Sequence, residues 1–310
     1  WMAVELNFGL DLKTVLLWVL PIGLGAAAVI VVILLWNRRM GAEIFQRKKA
    51  ERELSNALGV ITESIDYAAN IQRAVLVGKD MLTATTDEHM ILWEPRDVVG
   101  GDIYWCHIWG DGILVVLADC TGHGVPGAFM TLLSTGALDR AMADVPQGMV
   151  GELVQRMHQV IQITLNQHGP QGNSDDGLEL GACFIHADMD KMTFAGARFP
   201  LFIVVDDEVR EIKSTRKGIG YRGIAQTQAF DEIEIELKPG MAFYMSSDGF
   251  LEQVGGPKRR MFGKKRFKAL LKELQALPLN AQKERFMQAL HDHQGPEPRR
   301  DDVAVLAFRV

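Results

Sequence analysis

Cysteine is scarce and poorly spaced for chemistry. Only Cys106, Cys120 and Cys183 occur, an odd number with no C-x-x-C pair. That argues against a disulfide framework and a cysteine zinc site, and it suits a reducing compartment. Basic residues are short as well: 33 Lys plus Arg face 39 Asp plus Glu, giving a net charge of −6 and a pI near 5.8. A general nucleic-acid binder carries a broad basic face, so no nucleic-acid partner is expected. A P-loop is missing too, because Thr121-Gly122-His123-Gly124 lacks the following Gly-Lys-Ser/Thr. With neither a nucleotide cradle nor a basic groove, a metal-dependent nuclease or cyclase is disfavoured. No repeat of fixed period stands out. What remains is a chain of 310 residues, 48% hydrophobic and 23% charged, the composition of one large folded domain plus extras.

Charge is absent from one long run, Thr14 to Trp36. Roughly 20 apolar residues cross a bilayer core, so the run predicts one transmembrane helix over about 14–36 within a membrane anchor, residues 1–37. A cleaved signal peptide wants a basic start, and this start has Glu5 and Asp11 against Lys13. Arg38, Arg39, Arg47, Lys48 and Lys49 follow, which places the C-terminal part in the cytoplasm by the positive-inside rule and lets the cluster lie against anionic membrane lipid. Residues 38–78 then read as a helical linker. Leu54, Leu58, Ile61, Ile65, Ala68, Gln72 and Val75 alternate in steps of four and three, with Gln72 a polar intrusion. The spacing fits either a helix docked on its own domain or a parallel coiled-coil stalk that makes a homodimer.

Residues 79–310 change pattern to short apolar runs broken by Gly and Asp. His89–Trp93, Ile103–Ile108, Ile113–Ala118, Leu180–His186, Lys191–Ala195, Leu201–Val205, Val209–Ser214, Ile233–Leu237, Ala242–Ser247 and Val303–Phe308 read as strands. Val125–Met142, Met149–Gln167, Lys264–Ala276 and Ala281–His291 read as helices. Strands and helices in separate blocks predict an α+β fold with antiparallel sheets.

Four segments put an aspartate where an apolar run stops: V-G-G-D at Asp102, A-D-C-T-G-H-G at Asp119, S-S-D-G at Asp248 and R-R-D-D at Asp301 and Asp302. Any one alone is turn chemistry. Brought together, they would repel one another unless a cation joined them, and hard oxygen ligands suit Mg²⁺ or Mn²⁺.

The set V-G-G-D-I-Y-W (99–105), A-D-C-T-G-H-G-V-P-G-A (118–128), S-D-G-F-L-E-Q (247–253) and D-D-V-A-V-L (301–306) resembles the metal-dependent type-2C (PPM) Ser/Thr phosphatases, most of all the bacterial SpoIIE/RsbU branch. A-A-N-I-Q-R-A-V-L (68–76) resembles the helix preceding the catalytic domain in that branch, and G-G-P-K-R-R-M-F-G-K-K-R-F (255–267) is similar to the SiaA-type regulators. The resemblance implies an antiparallel β-sandwich flanked by helix pairs, αββα, with a dimetal site at one end. It implies that Asp119 bridges two Mn²⁺ or Mg²⁺ ions and that the Cys120 main-chain carbonyl is a further ligand. Asp248 and Asp301 then complete one ion, Asp102 acts through water, and Asp302 lies just outside. Two such ions can activate a water for in-line attack on phosphorus, so no nucleophilic cysteine is required.

Four features keep alternatives open. His123 is a general acid for the leaving seryl oxygen or a loop cap. Arg198 stands in A-G-A-R-F-P where the branch commonly has A-G-H/N-P-P, so it reaches substrate or caps a strand. Lys258–Arg260 and Lys264–Arg266 form a solvated face or a docking surface for an acidic or phosphorylated partner; Asp175-Asp176 marks a further metal-proximal loop or a solvated turn, and the turn is favoured. The expectation is a single-pass inner-membrane Ser/Thr phosphatase with its catalytic domain in the cytoplasm. Its substrate is a phosphorylated STAS-like regulatory protein, with a cognate kinase opposing it. The alternative is a catalytically silent phosphoprotein scaffold, which would have lost one of the ligand positions; all of them are present.

Overall fold

The computed structural model describes residues 12–76, 82, 86, 88–169 and 174–310. The chain divides into two units, residues 1–64 and residues 65–310. In the first, helix α1 (Leu12–Val75) carries an apolar segment that is long and apolar enough to cross a membrane. The side chains described between residues 16 and 60 are exposed, Trp18, Ile30, Leu35 and Trp36 among them. Beyond the apolar run, Arg39–Glu43, Arg47–Glu51 and Lys49–Glu53 pair at i,i+4, which supports a solvated helix locally.

In the second unit the last turns of α1 belong to the domain. Ala69 and Gln72 are each only 2% exposed, and Ile65, Ala68 and Val75 are half-buried, whereas Leu54, Leu58 and Ile61 upstream are exposed. Gln72 therefore does not interrupt an apolar seam; it is a clamp. Its Nε2 donates to the Gly100 carbonyl at 2.6 Å and to Thr131 Oγ1 at 3.1 Å, and its Oε1 accepts from the Gly100 N–H at 3.2 Å.

Among the described residues ten strands make two antiparallel sheets, and the expected sandwich is what they build. One sheet has the order β1 (Glu88–Glu94), β12 (Val303–Arg309), β9 (Ala242–Ser246), β6 (Leu201–Val205), β7 (Glu208–Ile212). The other runs β2 (Asp102–Trp109), β3 (Gly112–Cys120), β4 (Leu178–Ile185), β5 (Lys191–Ala197), β8 (Glu232–Glu236). A two-residue ribbon, β10 (Val254–Gly255) with β11 (Arg260–Met261), stands apart. Helices α2 (Gly124–Asp144) and α3 (Val150–Thr164) cover the second sheet. After the single turn α4 (Asp248–Leu251), helices α5 (Gly263–Leu274) and α6 (Leu279–Gln294) cover the first.

The strand sequences explain the layering. In β3 successive side chains point to opposite faces. Leu114, Val116 and Ala118 pack with Leu138, Leu153 and Met157 of α2 and α3, while Val115 and Leu117 join Leu201, Phe243, Met245, Leu306 and Phe308 between the sheets. Both faces are covered, which is why β3 reads as an unbroken apolar run rather than an alternation. On the outer face of the first sheet Phe202, Tyr244 and Val305 meet Phe267, Leu271 and Phe286.

Replacing Gln72 by Leu would leave both polar groups of Gly100 buried without partners. The expected cost is about 2–4 kcal/mol, read by thermal unfolding of the full chain in detergent. A change within about 0.5 kcal/mol, the range of an ordinary surface substitution, would show that the clamp contributes nothing.

Candidate active site

The acidic loops expected from sequence do meet. Asp102 opens β2 and Asp119 lies next to the end of β3, and the two are directly opposite in the antiparallel register. Asp248 follows β9, and Asp301 and Asp302 precede β12, which is hydrogen-bonded to β9. The two sheets thus bring these residues to one end of the sandwich. Ser247 ties the sheets together there: its Oγ donates to Asp102 Oδ2 at 2.7 Å and accepts from the Ala304 N–H at 2.9 Å. This serine stands in the S-S-D-G segment with no role legible beforehand.

Asp302 is a scaffold residue. Its Oδ2 accepts from the Gly101 N–H at 2.6 Å and its Oδ1 from the Arg96 N–H at 2.7 Å. Gly101 is obligatory for a steric reason: a Cβ there would meet the Cys120 carbonyl oxygen at 2.8 Å and also the Gly122 carbonyl. The V-G-G-D loop and the loop after β3 are therefore pressed together backbone to backbone. The Cys120 thiol points away, buried and 3.6 Å from Ser134 Oγ, and loss of hydration pushes its pKa well up, so it is inert.

The electrostatics are those of crowded acids. Burial pushes the Asp102 carboxyl well above its usual range, and the charges of Asp302, Asp248 and Asp301 add to that. Asp119 is raised by loss of hydration and then by Asp102, Asp248 and Asp301. Asp248 is raised by loss of hydration, and its carboxyl hydrogen-bonds to that of Asp119. Asp102 is 1% exposed, and its Oδ1 has no hydrogen-bond partner among the described residues. Asp119 and Asp301 are partly exposed and Asp248 is exposed, so the cluster opens to solvent on the Asp248 side. Among the described residues no three His, Cys, Asp or Glu side chains form a ready coordination set as they stand. The fit to a divalent ion is one of charge and donor type: hard oxygens, mutual repulsion and one orphaned buried carboxylate oxygen.

The remaining residues fall around this cluster. His123, the residue before α2, makes no side-chain hydrogen bond to the helix; its Nδ1 lies 3.1 Å from Asp97 Oδ2, and Asp97 also faces Arg96 at 3.3 Å. Arg198 is exposed and ion-paired with Glu179 at 2.7 Å; Glu179 sits opposite Asp119 across β3 and β4. Thr121 Oγ1 donates to Tyr221 Oη at 3.2 Å. The Tyr221 loop is held by α3: His158 Nδ1 accepts from the Gly220 N–H, and Gln162 Nε2 donates to the Tyr221 and Ile224 carbonyls. Asp175 is exposed, and its carboxylate accepts from the Arg222 N–H at 2.7 Å, a bond to a segment distant in sequence rather than within a turn. Sequence reasoning missed Asp97, Glu179 and Tyr221, because each sits outside the acidic segments and joins them only across the fold, and it missed Ser247, whose partners Asp102 and Ala304 are distant in sequence.

Residues 110–310 match the family described as Stage II sporulation protein E (SpoIIE). The chain belongs to the SpoIIE family. It is accordingly a PPM-type protein serine/threonine phosphatase of the SpoIIE/RsbU branch, a hydrolase. Among solved structures, the SiaA-PP2C domain of Pseudomonas aeruginosa is 38% identical with a TM-score of 0.74, covering 82% of this chain and 98% of that one. The PP2C phosphatase domain of SpoIIE from Bacillus subtilis, with a fragment of its regulatory domain, is 18% identical with a TM-score of 0.57, over 72% of this chain and 63% of that one. The RsbU and RsbW domains of Rv1364c from Mycobacterium tuberculosis give 19% and 0.56, over 72% and 60%. These last two share the fold. No curated protein matches the chain.

Raised carboxyl pKa values have a definite sign in stability. The folded SpoIIE-family domain binds these protons more tightly than the unfolded chain, so folding takes up protons and stability is lost as pH rises above the ordinary aspartate value of 3.8. In EDTA, Asp102→Asn is therefore expected to melt about 4 °C or more above wild type near neutral pH, equivalent to roughly 1–2 kcal/mol, and to converge with it near pH 4. An Asp102→Asn chain that melts at or below wild type at neutral pH would show that no such repulsion exists.

Proposed function

We propose that this phosphatase is anchored in the bacterial inner membrane by α1, faces the cytoplasm, and removes phosphate from phosphoserine or phosphothreonine of a STAS-like regulatory protein with the help of two divalent ions, Mn²⁺ or Mg²⁺. The observation that carries the metal reading is the orphaned Asp102 oxygen inside a cluster of mutually repelling aspartates. Asp119, Asp248, Asp301 and the Cys120 carbonyl would hold the ions, with Asp102 acting through water. When bound, such ions neutralise phosphoryl oxygens and lower the pKa of an attacking water.

The chain's own groups supply the rest. Ser247 and the Asp302 contact with Gly101 fix the positions of Asp102 and of the loop beside Cys120. His123 is oriented through Nδ1 by Asp97, leaving Nε2 as the nitrogen that can pass a proton to the departing seryl oxygen as the P–O bond breaks. The Arg38–Lys49 cluster after the apolar run supports a cytoplasmic catalytic domain and lipid contact. The substrate class and its kinase rest on resemblance to the SpoIIE/RsbU branch, and a homodimer through the linker rests on the exposed heptad positions Leu54, Leu58 and Ile61.

The test is phosphate release from a phosphoserine peptide by the full chain in detergent, with Mn²⁺, Mg²⁺ or EDTA. Expected is turnover that EDTA abolishes and that Asp119→Ala lowers by about a thousandfold or more, the scale of losing a principal transition-state contact. Turnover that persists in EDTA, or that Asp119→Ala leaves intact, would contradict the metal reading.

A further inference from the structure

Beside the acidic cluster lie two contiguous cavities that share Arg198, Pro200 and Lys264. The nearer one, about 360 Å³, is bounded by Asp248, Glu179 and Glu252. The farther one, about 340 Å³, is lined by Arg198, Lys213, Arg216 and Lys264 with Glu211 as its one acid. Glu211 is already shared between Lys264 at 2.8 Å and Lys268 at 2.6 Å, so its charge is fully engaged. Lys213 and Arg216 are exposed and make no ion pair among the described residues. The groove thus runs from strongly acidic at the Asp248 end to strongly basic at the Arg216 end.

The backbone builds this arrangement at some cost. Arg198 has φ +57°, in the left-handed region that non-glycine residues avoid. It is held there because its N–H donates to the Thr215 carbonyl at 2.7 Å, while the Thr215 N–H donates to the Gly196 carbonyl at 3.0 Å. The same pair of bonds fixes the segment carrying Lys213 and Arg216 against the end of β5. A strained backbone, stabilised by its neighbours, thus holds Arg198 where both cavities share it and the segment of Lys213 and Arg216 where it lines the farther one.

We infer that this groove is a docking subsite for carboxylate side chains flanking the phosphorylated residue, so that the preferred substrate carries an acidic segment next to its phosphoserine. Continuity of the cavities with Asp248 favours a segment of the phosphoprotein over a lipid headgroup, because the occupant must reach the phosphoester. The inference rests on the proposed metal site only for where that phosphoester sits. Exposed charge pairs contribute little singly, and three together give about tenfold in affinity.

The test uses two fluorescein-labelled phosphoserine peptides, one with three glutamates beside the phosphoserine and one with glutamines there. Anisotropy with the full chain in detergent and EDTA reads binding without turnover; phosphate release with Mn²⁺ is followed separately and reports on the metal reading alone. Expected is binding of the glutamate peptide about tenfold tighter, an advantage removed by about 0.5 M NaCl and reduced to about twofold in Lys213→Ala/Arg216→Ala. Equal binding of the two peptides by wild type overturns the inference whether or not the double variant folds, as does a tenfold preference that survives the substitutions. If the substitutions weaken binding to phosphatidylglycerol nanodiscs and leave the peptide preference unchanged, the groove serves the bilayer and the inference is likewise overturned.

Discussion

Everything at the functional end of this molecule depends on carboxylates forced together where the two sheets meet. Asp102 is enclosed, has one oxygen satisfied by Ser247 and the other without a partner among the described residues, and faces Asp119 across a strand pair. A buried acid with an unmet oxygen is among the most expensive features a fold can carry. The surrounding structure is organised to hold it: Ser247 joins the sheets, Asp302 pins Gly101, and Gly101 lets two loops approach as no larger residue would allow. The proposed reading is that ions of opposite charge complete the cluster, and phosphoryl transfer is chemistry in which positioned positive charge is the main requirement.

The same packing that enforces the cluster ties it to the rest of the domain. Gln72, near the end of α1, takes both polar groups of Gly100, the residue before Gly101, and also holds Thr131 of α2. The helix end, the V-G-G-D loop and the first covering helix therefore share one buried side chain. On the other flank, α3 fixes the loop of Tyr221 through His158 and Gln162, and Tyr221 in turn meets Thr121 just after Asp119. Both flanks of the site are positioned by buried polar side chains, which favour one geometry because any slip leaves them unsatisfied.

Much of this was legible in the residues. The strands announce themselves as short β-branched and aromatic runs, and their doubly buried positions explain the unbroken apolar stretches of β3 and β12. The acidic loops carry their own glycine punctuation, and the motif set reaches the family on its own. The sequence leaves the role of Asp302 open; in the structure its carboxylate accepts from the Gly101 and Arg96 N–H groups, and its charge acts on Asp102. What could not be read is whatever depends on partners distant in sequence. Gln72 looks like a flaw in a heptad until Gly100 is seen beside it. His123 offers two roles, a general acid or a loop cap, and its partner Asp97 is not visible from the motif that carries it. Arg198 departs from the motif in sequence, and its contacts, an ion pair with Glu179 and an N–H bond to the Thr215 carbonyl, come from segments distant from it. Side-chain spacing gives periodicity; it does not give convergence.

The central claim is that the aspartate cluster exists to bind divalent cations. Calorimetric titration of the full chain with Mn²⁺ near pH 6, repeated in two buffers of different ionisation enthalpy, measures ion stoichiometry and proton release together. Because the folded site holds its carboxyl protons tightly, binding should take up about two ions and release protons, and Asp119→Asn should abolish most of both. Absence of saturable binding up to millimolar Mn²⁺, or an unchanged titration in Asp119→Asn, would contradict it.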